Sequence, residues 1–170
     1  MALPVEDAIF RNSMRLLASG VTIVATAFAG RRSGLTATAV CSLALAPPRV
    51  LASINMQGHT YGLVSESRCM SVNLLAQDHQ LLAERFAAKR AAEDEDRFVY
   101  GQWKTATTGA PMLGDALAAL DCRVTEIIPL DTHAILIGVV ENIIFGPHRP
   151  PLIHFEAGFT SILARTEAGS

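Results

Sequence analysis

Charge is sparse in this chain. Only 18% of its 170 residues are Asp, Glu, Lys or Arg, and 14 basic residues face 16 acidic ones for a net charge of -2. With no basic run either, nothing marks a nucleic-acid partner. Cysteine is scarce too. Cys41, Cys69 and Cys122 are odd in number, far apart and without a CxxC pair. That excludes a disulfide framework and fits a reducing cytoplasm. No apolar run reaches the ~20 residues a membrane span needs. The opening MALPVEDAIF carries acids where a signal peptide carries bases. There is no GxGxxG after a strand, no Walker loop, no GxSxG and no HExxH. His148 and His154 stand six apart across a proline pair, which does not suit a metal site.

Apolar residues are plentiful, at 50% of the chain. That suits one domain over residues 1–170 with a core over about 10–162, and oligomerisation is one way to hide the excess. The stretch GLTATAVCSLALAPP, residues 34–48, stands out. Read with period two, Leu35, Ala37, Ala39, Cys41, Leu43 and Leu45 form an apolar face. Thr36, Thr38, Val40, Ser42 and Ala44 form a face of small side chains with three hydroxyls. Pro47 and Pro48 end it. Such a surface lets a flat polar ring approach main-chain N–H groups. A strand whose polar side meets water shows the same pattern, and periodicity does not separate the two.

The remaining chain reads as strands linked by turns with helices between them. A helix over residues 5–18 places Phe10, Met14 and Leu17 on one face. A strand over 20–28 turns back through a loop of about five residues at 29–33. Further strands are expected at 49–56 and 70–75, with a helix at 59–65 between them. Asp78 is expected to cap a helix beginning at His79. Residues 93–97 read as a solvated charge run, and Trp103 as a core plug. A short helix over 114–120 and strands over 121–128, 133–145 and 152–162 follow, and the tail from 165 looks frayed. Together these predict a mainly β fold with helical decoration, an antiparallel barrel.

The ordered blocks GVTIVAT, GLTATAVCSLALAPPRVLASIN, SVNLL, RF, DTHAILIGVVENI and PLIHFEAGF are similar to the flavin reductase-like family of FMN-binding split barrels. The resemblance spans residues 10–162. It implies an antiparallel split β-barrel that reduces FMN or FAD with NADH or NADPH. It also implies a homodimer with flavin near the subunit interface, and transfer of reduced flavin to a flavin-dependent monooxygenase of hydroxyphenylacetate or phenol type.

By that resemblance Thr36, Ala37, Thr38, Ala39, Cys41 and Ser42 line the isoalloxazine and ribityl chain. Asn55, His59 and Thr60 lie near the ribityl and phosphate part, and Asn73, Leu74 and Leu75 beside the ring. Arg85 and Phe86 lie near the phosphate or adenylate end, with Lys89 and Arg68 as further cations. His133 faces the nicotinamide. Residue patterns alone give plainer roles. Asn73 would satisfy neighbouring backbone, Arg85 and Phe86 would be surface charge and core aromatic, Cys41 a small filler, and His133 a loop histidine. A flavin-binding module without turnover, or a dimerisation barrel with an empty groove, are the other functions in view.

Overall fold

The computed structural model describes residues 5–88 and 94–162. The expected tail from residue 165 and the Lys89 phosphate candidate lie outside them. In chain order the elements begin with α1 (Asp7–Met14), β1 (Ser19–Gly20), β2 (Thr22–Phe28), β3 (Arg31–Ala37), β4 (Val40–Leu45) and β5 (Pro48–Asn55). Next come α2 (His59–Ser67), β6 (Cys69–Leu74), α3 (Gln80–Ala87) and α4 (Asp94–Arg97). The chain continues with β7 (Trp103–Lys104), β8 (Met112–Leu113), β9 (Ala118–Leu130), β10 (His133–Phe145), β11 (Leu152–Phe155) and β12 (Gly158–Ser161).

Seven strands form one antiparallel sheet in the order β3-β2-β6-β9-β10-β5-β4. Its two outer strands are consecutive in sequence, so the chain must cross from one edge to the other between Ala37 and Val40. The crossing residue Ala39 accepts a hydrogen bond from the Ser53 amide of β5 at 2.9 Å. The sheet thus curls toward closure but stays open along that seam, giving the expected split barrel. Val24, Ala37, Ala52, Ile54, Met70, Val72, Val124 and Leu136 fill its interior. The outer faces of β2 and β6 carry a second core, where Ile23 and Leu75 meet Phe86, Phe98, Met112 and Leu113. Both faces of β2 are therefore buried, which is why TIVATA reads as a continuous β-branched and small run.

The stretch 34–48 is two strands, not one. β3 pairs only with β2, through Thr22 and Ala37, while β4 pairs only with β5. Ala37 and Val40 both turn toward the barrel interior. An odd spacing between two inward residues means that the alternation changes phase in the crossing. Cys41, Leu43 and Leu45, expected on a buried face, are consequently exposed.

Other boundaries shift for local reasons. The β2–β3 loop is only Ala29-Gly30, with φ of 49° and 78°. Positive φ at both central residues is the primed hairpin turn that matches strand twist. Glu156 and Ala157 make the same kind of turn, with φ of 49° and 63°, and split the expected last strand into the β11–β12 hairpin. The expected helix at 114–120 is instead a turn running into β9, because Ala118, Ala119 and Leu120 pair with β6 and with the end of β10. Asp78 does not cap a helix. Its carboxylate pairs with Arg149, and a 3-10 turn at Gln77–His79 precedes α3. Arg97 is not merely solvated, since its guanidinium donates to the Gly34 and Ala88 carbonyls.

α1 has no buried residue. Ile9, Phe10 and Met14 on it, Leu43 and Leu45 on β4, and Phe145 at the end of β10 are all exposed. No described helix is long and apolar enough to cross a membrane.

Candidate functional site

One end of the barrel collects the exposed part of the expected site. β5 and β10 run antiparallel so that Asn55 stands opposite His133. The Met56 amide then donates to the Thr132 carbonyl at 3.0 Å, which fixes the start of the loop leading to α2. Asn55 folds back on that loop, its Oδ1 accepting from the Gln57 amide at 2.7 Å, an Asx turn. Gly58 begins α2 in extended backbone without a side-chain cap, leaving the helix N-terminus open toward anions. The seam at Thr38 and Ala39 reaches this end through the Ala39–Ser53 hydrogen bond. His133 is exposed, and its Nδ1 shares a 2.8 Å hydrogen bond with the Thr132 hydroxyl, so Nε2 is the ring's outer nitrogen.

The expected residues divide accordingly. Thr38, Ala39, Cys41, Ser42, Asn55, His59 and His133 are exposed around the seam and the barrel end. Thr60 is close by but buried, with its hydroxyl 2.9 Å from that of Ser33. Ala37 is buried inside the barrel. Thr36 points the other way and donates to the Ala83 carbonyl of α3 at 2.6 Å, so its hydroxyl is covered by the helix.

The second group sits in the core. Asn73 is fully buried, its Nδ2 donating to the Ile23 carbonyl and to Ser71 Oγ, both at 2.9 Å. Its Oδ1 accepts from the Leu113 amide at 2.7 Å. Every part of that amide is used by the fold. Leu75 is buried beside it, while Leu74 is partly exposed. Phe86 packs edge-on to Phe98 at 5.2 Å and against Trp103 at 5.6 Å. Trp103 is thus the core plug expected of it, with its indole N–H on the Tyr100 carbonyl. Arg85 lies over the Tyr100 ring, 3.6 Å from its centroid, and Arg68 caps the far end of α2. Neither cation stands at the barrel end.

A groove of about 810 Å³ opens along α2, lined from Gly58 to Glu66. Phe28, Arg31 and Arg32 of the β2–β3 hairpin form one wall, and Met56, Gly58, His59 and Tyr61 another. Of these, sequence reasoning singled out only His59. The Arg31-Arg32 pair looked like loop, because a two-residue turn built on alanine and glycine leaves no turn signal that moves the arginines into a strand.

An antiparallel β-barrel left open along one seam is the split-barrel fold seen in solved flavin reductases. The chain belongs to the flavin reductase-like family, whose domain model, flavin reductase like domain, matches residues 14–163. FMN reductase (NADH) RutF 1 of Methylorubrum extorquens is similar at 33% identity, over 99% of this chain and 83% of that protein. Among solved structures, flavin reductase PheA2 superposes with a TM-score of 0.82 at 30% identity, covering 94% of this chain and all of that one. BorF, the flavin reductase component of a bacterial two-component tryptophan halogenase, gives 0.86 at 25% identity, covering 94% of this chain and all of that one.

Proposed function

We propose that this chain reduces FMN with NADH and releases the reduced flavin to a flavin-dependent oxygenase, working as a homodimer in the cytoplasm. The observation that carries this is the similarity to an NADH-dependent FMN reductase along 99% of the chain. The donor set at the barrel end fits a flavin. An exposed seam of Thr38, Ala39, Cys41 and Ser42 presents small side chains and main-chain groups to a flat ring, and the open start of α2 suits a phosphate.

The bound flavin supplies the chemistry itself, accepting a hydride from the nicotinamide. What the protein adds is position and electrostatics. Stacking two rings at reacting distance supplies the proximity term. Main-chain N–H groups along the seam steady the negative charge that hydride transfer places on the flavin's pyrimidine edge. His133, held through Nδ1 by Thr132 across from Asn55, presents Nε2 to the nicotinamide side. Hydride transfer itself requires no acid or base from the protein. FAD and NADPH are the alternative substrates to be tested beside FMN and NADH.

The homodimer accounts for the apolar surface of α1 and β4, which one chain leaves bare. Light scattering during gel filtration is expected to give twice the 18.2 kDa chain mass. A monomer would remove this part of the proposal. His133→Ala is expected to slow hydride transfer more than it weakens flavin binding, and equal rates in parent and variant would remove the assigned role. A binding module without turnover would hold flavin yet show no flavin-dependent NADH oxidation.

A further inference from the structure

The groove beside α2 is larger than a flavin phosphate requires, and its chemistry changes along its length. Strand alternation sorts the two arginines of the hairpin. Arg32 shares a face with Gly34 and Thr36, which meet Phe86 and α3, and its guanidinium lies 4.7 Å from the centroid of the Phe98 ring. Arg31 shares the opposite face with Ser33, whose hydroxyl meets Thr60 of α2. The exposed Arg31 side chain therefore stands on the groove side, and Arg32 also borders the groove but directs its guanidinium onto Phe98.

Phe28 is paired with Arg31 across the hairpin and lies on the same face. With Tyr61 and Met56 it gives the groove an aromatic and apolar wall. Glu66 is the groove's acid and sits seven residues beyond His59 on α2. That is two turns, about 10 Å along the helix. Ser33 meets Thr60 and Thr26 meets Ser67, so β3 with Arg31 lies toward the His59 end of α2 and β2 with Phe28 toward Glu66. That order of cation, aromatic wall and carboxylate suits a nucleoside monophosphate whose base carries an amine. About 810 Å³ lies within the range of small-ligand pockets.

We propose that this groove binds the adenosine 5′-phosphate end of a dinucleotide substrate. Arg31 holds the phosphate, Phe28 and Tyr61 flank the purine, and Glu66 accepts from its exocyclic amine. The assignment rests on the flavin-reductase reading, which supplies two sources for that end, the nicotinamide dinucleotide and FAD. It also moves the phosphate-binding charge from Arg85, stacked on Tyr100, to a hairpin residue.

Titration of the full chain with AMP tests it directly, independently of turnover. AMP is expected to bind, IMP to bind more weakly for want of the amine, and Arg31→Ala to weaken AMP roughly tenfold or more, as loss of a charge-assisted phosphate contact does. Arg31→Lys is expected to fall between them. Absence of AMP binding, or AMP binding indifferent to Arg31, overturns the assignment even if flavin reduction is intact.

Steady-state kinetics then identify the source. A rise in KM for NADH but not for reduced nicotinamide mononucleotide assigns the groove to the hydride donor. A rise for FAD but not FMN assigns it to the flavin. If Arg31→Ala changes neither KM, the proposal fails. If AMP binds as expected but no flavin is reduced, the adenylate site stands and the reductase reading falls.

Discussion

Asn73→Ala separates a structural amide from a flavin-contacting one. The resemblance places Asn73 beside the ring, yet its three hydrogen bonds all go to the fold: the Ile23 carbonyl, Ser71 Oγ and the Leu113 amide. Truncation leaves the Leu113 N–H buried without an acceptor, since Leu113 is 1% exposed, and also frees the Ile23 carbonyl. An abandoned buried backbone donor costs about 1–3 kcal/mol, and the lost carbonyl contact and small cavity add to it. The total is about 3 kcal/mol. For a chain of this size that lowers Tm by roughly 6–12 °C. Thermal unfolding followed by circular dichroism measures the shift, and FMN titration below the variant's transition measures binding. The expected result is a lower Tm with FMN affinity within about twofold of parent, a change of only ~0.4 kcal/mol. An unchanged Tm with lost FMN affinity would refute the structural assignment.

Three further outcomes follow from packing and burial. Gly146→Ala would drive its Cβ into the Ala116 backbone where β10 leaves the barrel, so it is expected to destabilise the fold by about 2 kcal/mol or more in denaturant melts. Cys122 is buried, so a thiol reagent at neutral pH is expected to spare it in mass spectra of the native protein and to label it once the chain is unfolded. Burial, with help from the Asp121 and Glu141 charges, pushes the Cys122 thiol from the ordinary value near 9 up to about 12. The stability it contributes by staying neutral is complete below pH 9 and is lost as pH climbs toward 12, by at most ~1.4 kcal/mol per unit. Cys122→Ala is expected to flatten that alkaline limb in melts across this pH range, and an unaltered slope would count against the burial argument.

Much of the barrel was legible. The strand at residues 133–145 was bounded correctly because six β-branched residues are spread between a turn and a Gly-Pro pair. Elsewhere the local signal was misleading or absent. The alanine- and leucine-rich segment after Gly114 has helical propensity, but pairing of Ala118–Leu120 with two neighbouring strands overrides it. The Glu156-Ala157 turn uses residues that seldom take positive φ, so nothing in the sequence split the final strand.

The site was legible in part, and the reason is the same. Alternation continues through Thr38 and Ala39 without a glycine or proline, so the edge-to-edge crossing was invisible and its phase change exposed the wrong face. The structure sets Asn55 opposite His133, with His59 just beyond on α2, because β5 and β10 are neighbours. Arg31 was missed, because a groove between a hairpin and a helix is a tertiary feature that no spacing encodes.

The most direct test mixes the protein without oxygen with NADH and a molar excess of FMN while the flavin's visible absorbance is followed. Many equivalents of flavin bleached per protein chain is the outcome expected of a reductase that releases its product. No bleaching beyond the protein-free rate, with FMN or FAD and with NADH or NADPH, would contradict the assignment.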